Sequence, residues 1–151
     1  MICVILTATD DPKPLARLLT ALVPAAAEGL VREVAVIGAE GPSRALADDA
    51  GADLFESFGE ALAHARSVWL AGLPLAAVLA SDWMQVLADH LAGDRPGPAR
   101  LIARSAGLRL TAAPEGWLIP KRLAASAALA EQDLQRIARR GGRRLRILHR
   151  R

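Results

Sequence analysis

The chain has 151 residues, of which 52% are hydrophobic and 23% charged, and these values exclude a mainly disordered protein. Its size predicts one globular domain over residues 1–151. The single cysteine, Cys3, excludes an intrachain disulfide and a zinc site with several thiolates, and the net charge of +3 is modest.

The first half of the chain alternates short apolar runs with helical patterns. Continuous apolar runs are typical of strands covered on both faces, and apolar residues spaced three and four apart are typical of amphipathic helices. The predicted strands are residues 3–6, 34–37, 52–55 and 68–71, and the helical patterns cover residues 15–23, 43–51 and 59–65.

Polar residues and prolines mark where these helices begin. Asp10 or Asp11 can cap the first helix, with Pro12 or Pro14 in its first turn, and Ser43 can cap the second. Because a ribose or metal site could also use the Asp10–Asp11 pair, both interpretations stay open at this point.

The second half has shorter and less regular patterns. Ser81 or Asp82 can cap a helix that ends near residue 91, and a Gly- and Pro-rich turn follows it. The remaining predicted strands are residues 101–104, 108–111, 117–119 and 145–148, and the remaining helices are residues 123–130 and 133–140.

Regular alternation of strand and helix implies right-handed crossovers. We therefore expect an α/β fold, a three-layer α/β/α sandwich with a mostly parallel sheet. Ligands of such sheets bind beyond the carboxyl ends of the strands. In this chain those ends are residues 7–11, 38–43, 57–60 and 72–76.

Several common catalytic and phosphate-binding motifs are absent from the sequence. It contains no phosphate-binding G-x-x-x-x-G-K-[ST] loop, no G-x-G-x-x-G after the first strand and no G-x-S-x-G elbow. The three histidines, His64, His90 and His149, lack metal-ligand spacing, and the first two are expected to be ordinary helix residues.

The C-terminal segment 136–151 is strongly basic, since eight of its sixteen residues are arginine. Such a segment attracts phosphate, and an anionic membrane surface is the favoured partner because no aromatic residues interleave the arginines for stacking on nucleic acid. Nucleic acid is therefore not the expected partner. The alternative is a solvated arginine-rich helix and strand.

No targeting or spanning segment is predicted. The apolar run at residues 2–6 meets Asp10 and Asp11 at once, and the longest uncharged stretch, residues 67–81, is shorter than the roughly 20 residues of a spanning helix. We expect a cytoplasmic protein, with peripheral attachment to the inner face of the membrane as the alternative.

The ordered series of framework segments resembles family 2 glycosyltransferases. The segment Ile5–Leu6–Thr7–Ala8–Thr9–Asp10–Asp11, followed by a Leu-rich helix, is similar to the opening of that family. Ser81–Asp82–Trp83 and Gly116–Trp117–Leu118–Ile119–Pro120 resemble later segments, and Asp133–Leu134 resembles the closing helix. The resemblance covers nearly the whole chain in order, although no single motif is specific.

This resemblance implies a GT-A fold, a nucleotide-sugar donor with a divalent metal and inversion at the anomeric carbon. It places nucleotide contacts at Thr7, Thr9, Asp10 and Asp11 after the first strand, and at Gly38 and Glu40 after the second. It places the general base at Glu131, with Asp133 as the second candidate.

The chain departs from the family at the reactive groups. Pro74–Leu75–Ala76 stands where the Asp-x-Asp motif would support Mg²⁺ or Mn²⁺, and Ala124–Ala125–Ser126–Ala127–Ala128 replaces the Gly-rich acceptor loop. A bound metal is therefore doubtful, and no metal ligand is assigned. Arg122, Arg139 and Arg140 are the candidate phosphate-binding cations.

Three hypotheses follow for a short and degenerate relative of this kind. The first is a glycosyltransferase-like protein that handles a nucleotide sugar with weakened or lost metal-dependent catalysis. The others are a non-catalytic scaffold, or pseudoenzyme, and a module that binds anionic surfaces through the basic segment. The oligomeric state is not specified by the sequence.

Overall fold

The computed structural model describes residues 1–103, 115–124 and 130–149, which form an eight-stranded sheet with helices on both faces. The strands are β1 (Ile2–Thr7), β2 (Val31–Ile37), β3 (Asp53–Phe55), β4 (Trp69–Gly72), β5 (Val78–Leu79), β6 (Ala99–Ala103), β7 (Gly116–Pro120) and β8 (Arg143–His149). The helices are α1 (Pro12–Ala27), α2 (Gly41–Asp49), α3 (Phe58–His64), α4 (Trp83–Ala92), α5 (Lys121–Ala124) and α6 (Glu131–Arg140).

The first four strands confirm the parallel half of the expected sheet. β3, β2, β1 and β4 lie side by side in that order and all three pairings are parallel, with Val4 opposite Val34 and Ala71 in the two neighbours of β1. Because parallel strands need crossover connections, the intervening helices lie on the faces of the sheet.

The second half of the sheet is mixed, which corrects the expectation of a mostly parallel sheet. The order continues with β7, β6, β8 and β5. β7 is antiparallel to both β4 and β6, β6 and β8 are parallel, and β5 is antiparallel to β8. Hydrophobic patterns locate a strand but carry no information about its direction.

Alternate residues of β1 enter two different hydrophobic clusters, as the pleat requires. Ile2, Val4 and Leu6 pack with α1, α2 and α4, whereas Cys3 and Ile5 pack with α3 and α6. The helices therefore form two outer layers around the sheet. Burial raises the pKa of the Cys3 thiol to about 12, so this cysteine is a small buried apolar side chain.

Two local expectations are wrong, and one short strand was not predicted at all. Ser43 lies inside α2 and the N-cap is Glu40, so Ser43 does not cap that helix. The helix expected at residues 123–130 begins earlier, at Lys121, and Ala130 has extended backbone. β5 was not expected, because a two-residue strand has no periodicity to detect.

Other expectations fall partly or wholly outside the described residues. These are the strand at residues 108–111, residues 125–128 of the segment that stands in place of the acceptor loop, and Arg150 and Arg151 of the basic segment. Within the described part of the chain, no helix combines the length and the apolar character needed to cross a bilayer.

A buried carboxylate fastens β2 to the connection between α3 and β4. The Glu33 carboxylate accepts hydrogen bonds from the backbone N–H groups of Arg66 and Ser67 and from Nε of Arg66, all at 3.0–3.1 Å. Burial would raise the pKa of Glu33, but the hydrogen bonds from Ser67 and Arg66 lower it below its ordinary value. This contact fixes the start of β4 relative to β2.

Candidate functional site

The candidate site lies at the edge of the sheet where β1, β2 and β4 end, called here the carboxyl edge. Its loops are residues 7–11 after β1, residues 38–41 after β2 and residues 73–76 after β4. The hydrogen bonds between the strands continue into the first two loops. The Ala8 N–H donates to the Ile37 carbonyl and the Gly38 N–H donates to the Phe55 carbonyl, both at 2.9 Å. The backbone at this edge is therefore held in place up to the residues that would meet a ligand.

The structure brings the six predicted nucleotide-binding residues together at this edge, and all six are exposed. They are Thr7, Thr9, Asp10, Asp11, Gly38 and Glu40. Gly38 has φ +65°, a conformation that favours glycine, and the space beside its Cα is open. Their role in binding stays a prediction, but their common location makes it geometrically possible.

Two hydrogen bonds fix the loop after β1. The Asp11 carboxylate accepts from the Lys13 N–H at 3.0 Å, which confirms that Asp11 caps α1. The buried hydroxyl of Ser43 donates to the Thr9 carbonyl oxygen at 2.9 Å and so joins this loop to α2. Asp10 is thereby left projecting from a loop that is anchored on both sides.

The two candidate bases lie on the first turn of α6, which points towards the carboxyl edge. Because β7 is antiparallel to both β4 and β6, β6 runs in the direction of β4. α6 ends beside the start of β6, where Gly141 lies against Pro98, and then turns into β8, which is parallel to β6. The helix therefore runs back along the sheet, and its N-terminal residues lie near the ends of the strands.

Of the two candidate bases, Glu131 is the less engaged. Asp133 accepts from the Ala130 N–H at 3.2 Å and pairs with Nη1 of Arg136 at 3.1 Å. Within the described part of the chain no such partner contacts the Glu131 carboxylate, which is half-buried. Glu131 is therefore the better placed of the two to accept a proton from a ligand.

The three candidate phosphate-binding arginines are not brought together. Arg122 is exposed on α5, which follows Pro120, and Pro120 pairs with Trp69 at the start of β4. Arg122 therefore lies at the opposite edge from the loops described above. Arg139 and Arg140 lie on the last turn of α6, about 12 Å along the helix axis from Glu131.

Arg139 is also engaged with another side chain. Its Nη2 lies 3.6 Å from the Glu115 carboxylate, which also pairs with Arg100 at 2.5 Å. Arg140 is exposed at the end of the helix. Phosphate binding by these arginines stays a prediction, and the geometry separates them from the first-strand loop.

The turn after β4 offers no side-chain oxygen for a metal ion. It carries Pro74, Leu75 and Ala76, and it is closed by a hydrogen bond from the Ala77 N–H to the Pro74 carbonyl at 2.8 Å. Among the described residues, no three His, Cys, Asp or Glu side chains cluster in a way that could hold a metal. The donor set at this turn does not fit a divalent cation.

A cationic side chain lies against this turn instead. Arg17, on the second turn of α1, donates from Nη2 to the Leu75 carbonyl oxygen at 3.2 Å. Its Nε is buried and has no hydrogen-bond partner within the described part of the chain. Sequence reasoning missed Arg17, because only the folded chain brings it within reach of a loop 58 residues away.

The end of β4 is also closely packed on the other face. A Cβ atom on Gly72 would lie 2.2 Å from the indole ring of Trp117, so only glycine fits under the ring. Trp117 is 1% exposed, and its ring meets Phe58 edge to face at 6.2 Å. This contact fixes how β7 packs beside β4 next to the turn.

A separate groove of about 500 Å³ lies away from the candidate residues. It is lined by α1, α2 and the starts of β2 and β3, and includes Leu19, Val23, Val31 and Ala52. Since β2 and β3 begin there, the groove opens at the edge opposite the carboxyl edge.

Structural comparison finds solved structures whose fold is similar to that of this chain. Glucosyl-3-phosphoglycerate synthase from Mycobacterium tuberculosis, in complex with phosphoglyceric acid, matches with a TM-score of 0.70 at 17% identity over 100% of this chain and 72% of that one. The same enzyme with Mn²⁺, UDP-glucose and phosphoglyceric acid gives 0.69 at 16% identity, with the same coverage. A crystal structure described as a mycobacterial protein gives 0.61 at 18% identity over 84% and 55% of the two chains.

These matches establish the fold: the chain has a mixed α/β fold of the GT-A glycosyltransferase type. This confirms the fold implied by the sequence resemblance, although the sheet is mixed. No protein-family model and no curated protein matches the chain.

Proposed function

We propose that this chain is a glycosyltransferase-like domain that binds a nucleotide sugar at the carboxyl edge, with metal-dependent transfer weakened or lost. One observation carries the proposal: on a GT-A-type fold, the polar loops after β1 and β2 and the first turn of α6 lie at one edge of the sheet. This is where ligands of open α/β sheets bind. Similar structures were solved with UDP and Mn²⁺ or with UDP-glucose and Mn²⁺.

The binding half of the proposal draws on the exposed groups after β1 and β2. Thr7, Thr9 and Gly38 offer hydroxyl and backbone groups, and Asp10 and Glu40 offer carboxylates that can accept from ribose hydroxyls or base N–H groups. Because Asp11 is committed to the helix cap, Asp10 is the stronger candidate of the pair.

The catalytic half depends on Glu131. In an inverting transfer, a base removes the proton from an acceptor hydroxyl as its oxygen attacks the anomeric carbon, and the nucleoside diphosphate leaves with its electron pair. Glu131 is the candidate base and Asp133 the alternative. Since the turn after β4 lacks metal ligands, the leaving diphosphate loses its usual neutralising partner, and this is why we expect slow transfer or none.

A panel of UDP, GDP, dTDP, CMP and their sugars, each with EDTA, Mg²⁺ or Mn²⁺, tests the proposal by thermal shift and calorimetry. We expect one nucleotide to stabilise the chain. Asp10→Asn is expected to weaken that binding about tenfold by removing a charged hydrogen-bond acceptor. Asp94→Asn, in an exposed loop after α4, is the matched control. Absence of binding by every nucleotide would contradict the proposal.

Transfer is measured separately by following nucleoside diphosphate release. A slow release that Glu131→Gln abolishes, with binding unchanged, identifies an active enzyme with Glu131 as the base. Binding without any release identifies the non-catalytic scaffold, which is the alternative form of this proposal.

A second candidate function is binding to anionic surfaces through the basic segment. It is favoured by the exposure of Arg139, Arg140, Arg143 and Arg144 at the end of α6 and the start of β8. Vesicles with and without phosphatidylserine test it, and binding is expected to fall steeply as salt rises. Binding that is equal for neutral and anionic vesicles would contradict it.

A further inference from the structure

A nucleoside diphosphate carries several negative charges at neutral pH, and a protein that binds one needs a positive partner for them. In the GT-A relatives solved with Mn²⁺ and UDP, a metal ion is present with the nucleotide. The turn after β4 in this chain cannot supply such an ion with side-chain oxygens, because its residues are Pro74, Leu75 and Ala76. The positive charge must therefore come from elsewhere.

The start of α1 is not a suitable source. Helix N-termini bind phosphate through free backbone N–H groups. Here Pro12 and Pro14 have no N–H group, and the N–H of Lys13 is already bonded to Asp11. The negative charge of Asp11 further opposes an anion at this position.

Arg17 has the charge, the position and the unused donors. Its Nη2 donates to the carbonyl of Leu75, so the guanidinium is held against the turn that ends β4. Leu73 N–H donates to Ile5 at 3.3 Å, which keeps this turn beside β1. None of the described residues forms an ion pair with Arg17, and its Nε lacks a partner.

We propose that Arg17 takes the place of the divalent cation, binding the diphosphate of the nucleotide so that binding does not depend on metal. The guanidinium can donate in a fork to two phosphate oxygens through the Nη hydrogens that the Leu75 carbonyl does not use, whereas the buried Nε takes no part. This inference rests on the proposed nucleotide site and identifies the group that holds the phosphates.

The test compares UDP and GDP with uridine and guanosine, by calorimetry, in EDTA and in Mn²⁺. The variants are Arg17→Met and Arg17→Lys. Arg32→Met is the matched control because Arg32 is an exposed arginine on β2, near the start of the strand and away from the carboxyl edge. Nucleosides lack phosphate, so their binding reports whether the loops after β1 and β2 are intact.

We expect the wild type to bind a diphosphate equally well in EDTA and in Mn²⁺. Arg17→Met should weaken diphosphate binding about tenfold and leave nucleoside binding unchanged, because only charged hydrogen bonds are lost. The diphosphate affinity of Arg17→Lys should fall between those of the wild type and Arg17→Met, since lysine keeps the charge but cannot donate a forked pair of hydrogen bonds. Arg32→Met should bind like the wild type.

Two results would overturn the inference while leaving the nucleotide site in place. One is an Arg17→Met variant that keeps the wild-type preference for diphosphate over nucleoside. The other is a wild type whose diphosphate affinity rises tenfold or more with Mn²⁺, a comparison that needs no variant and holds even if Arg17→Met fails to fold. A wild type that binds neither nucleosides nor diphosphates overturns the proposed function itself.

Discussion

The hydroxyl of Ser43 donates to the carbonyl oxygen of Thr9 at 2.9 Å, and this bond joins the loop after β1 to the first turns of α2. Ser43 is 1% exposed, so water does not compete for the bond. The two loops that supply the candidate nucleotide contacts are therefore positioned relative to each other before any ligand arrives.

Ser43→Ala should therefore affect both stability and binding. Loss of the bond leaves the Thr9 carbonyl without its partner and should lower the free energy of unfolding by about 1 kcal/mol. It should also weaken nucleotide binding, because the loop after β1 must then be ordered by the ligand. Chemical denaturation and calorimetry measure the two effects.

Thr20→Ala is the control for Ser43→Ala. Thr20 is exposed on α1, and its hydroxyl donates to Ala16 within the same helix at 2.9 Å. Thr20→Ala should leave nucleotide binding unchanged and should not lower the free energy of unfolding, since alanine has the higher helix propensity. If both variants behave alike, the Ser43–Thr9 bond does not organise the site.

Gly72→Ala should be strongly destabilising. The added methyl group would lie 2.2 Å from ring atoms of Trp117, and neither strand can move without breaking the pairing of β4 with β7. We expect a loss of about 3 kcal/mol in the free energy of unfolding. Urea denaturation measures it.

Gly59→Ala provides the contrast. Gly59 lies in α3 with open space around its Cα. The Gly59→Ala variant should gain about 0.5 kcal/mol in the free energy of unfolding, because alanine has the higher helix propensity. A Gly72→Ala variant as stable as the wild type would show that the Trp117 ring is not held against β4.

Glu33 should make stability fall in acid. Its pKa is lowered in the folded state, so the unfolded state binds the proton first, and stability is lost as pH falls below about 4.5. Glu33→Gln should cost about 2 kcal/mol at pH 7, since an amide replaces a carboxylate that accepts several hydrogen bonds. The variant should also show a weaker dependence on pH below 4.5.

Glu56→Gln is the comparison for Glu33, because Glu56 is 83% exposed and pairs with Arg44 only at 3.7 Å. Its stability should stay within about 0.5 kcal/mol of the wild type. Denaturation curves at pH 7, 4.5 and 3.5 measure all three proteins. Equal loss of stability in acid by the Glu33→Gln variant and the wild type would show that protonation of Glu33 does not cause that loss.

His90 should make the stability of the chain depend on pH in a higher range than Glu33 does. Burial lowers the pKa of His90 below 6.5, opposed by its hydrogen bond to the Gly97 carbonyl at 2.8 Å and assisted by Arg143. The unfolded state therefore takes up the proton first, and stability falls as pH drops below about 6.5. His90→Gln should remove this slope between pH 7.5 and 5.5, whereas His64→Gln, at an exposed position on α3, should keep it.

The parallel half of the fold could be predicted because its signals are local. Four apolar runs alternate with helical patterns, and Asp11 with Pro12 marks the start of α1 where the structure has it. The gathering of Thr7, Asp10, Gly38 and Glu40 follows from the same topology, since parallel strands end at one edge.

The rest depends on contacts that no local pattern encodes. The direction of β7 is set by pairing with β4 and β6, and the partner of Ser43 is a carbonyl 34 residues away. Arg17 reads in the sequence as an ordinary polar position of an amphipathic helix. Its contact with Leu75 exists only because the fold brings the turn after β4 within hydrogen-bond distance of α1.

Binding of a nucleotide at the carboxyl edge is tested most directly by titrating the ¹⁵N-labelled chain with UDP and GDP, in EDTA and in Mg²⁺, and following backbone amide shifts. We expect saturable shifts at Thr9, Asp10, Gly38 and Glu40, and none at Arg122 at the opposite edge. Saturation with shifts confined to Arg122 and its neighbours, or no shifts with either nucleotide in EDTA or in Mg²⁺, would contradict binding at this edge.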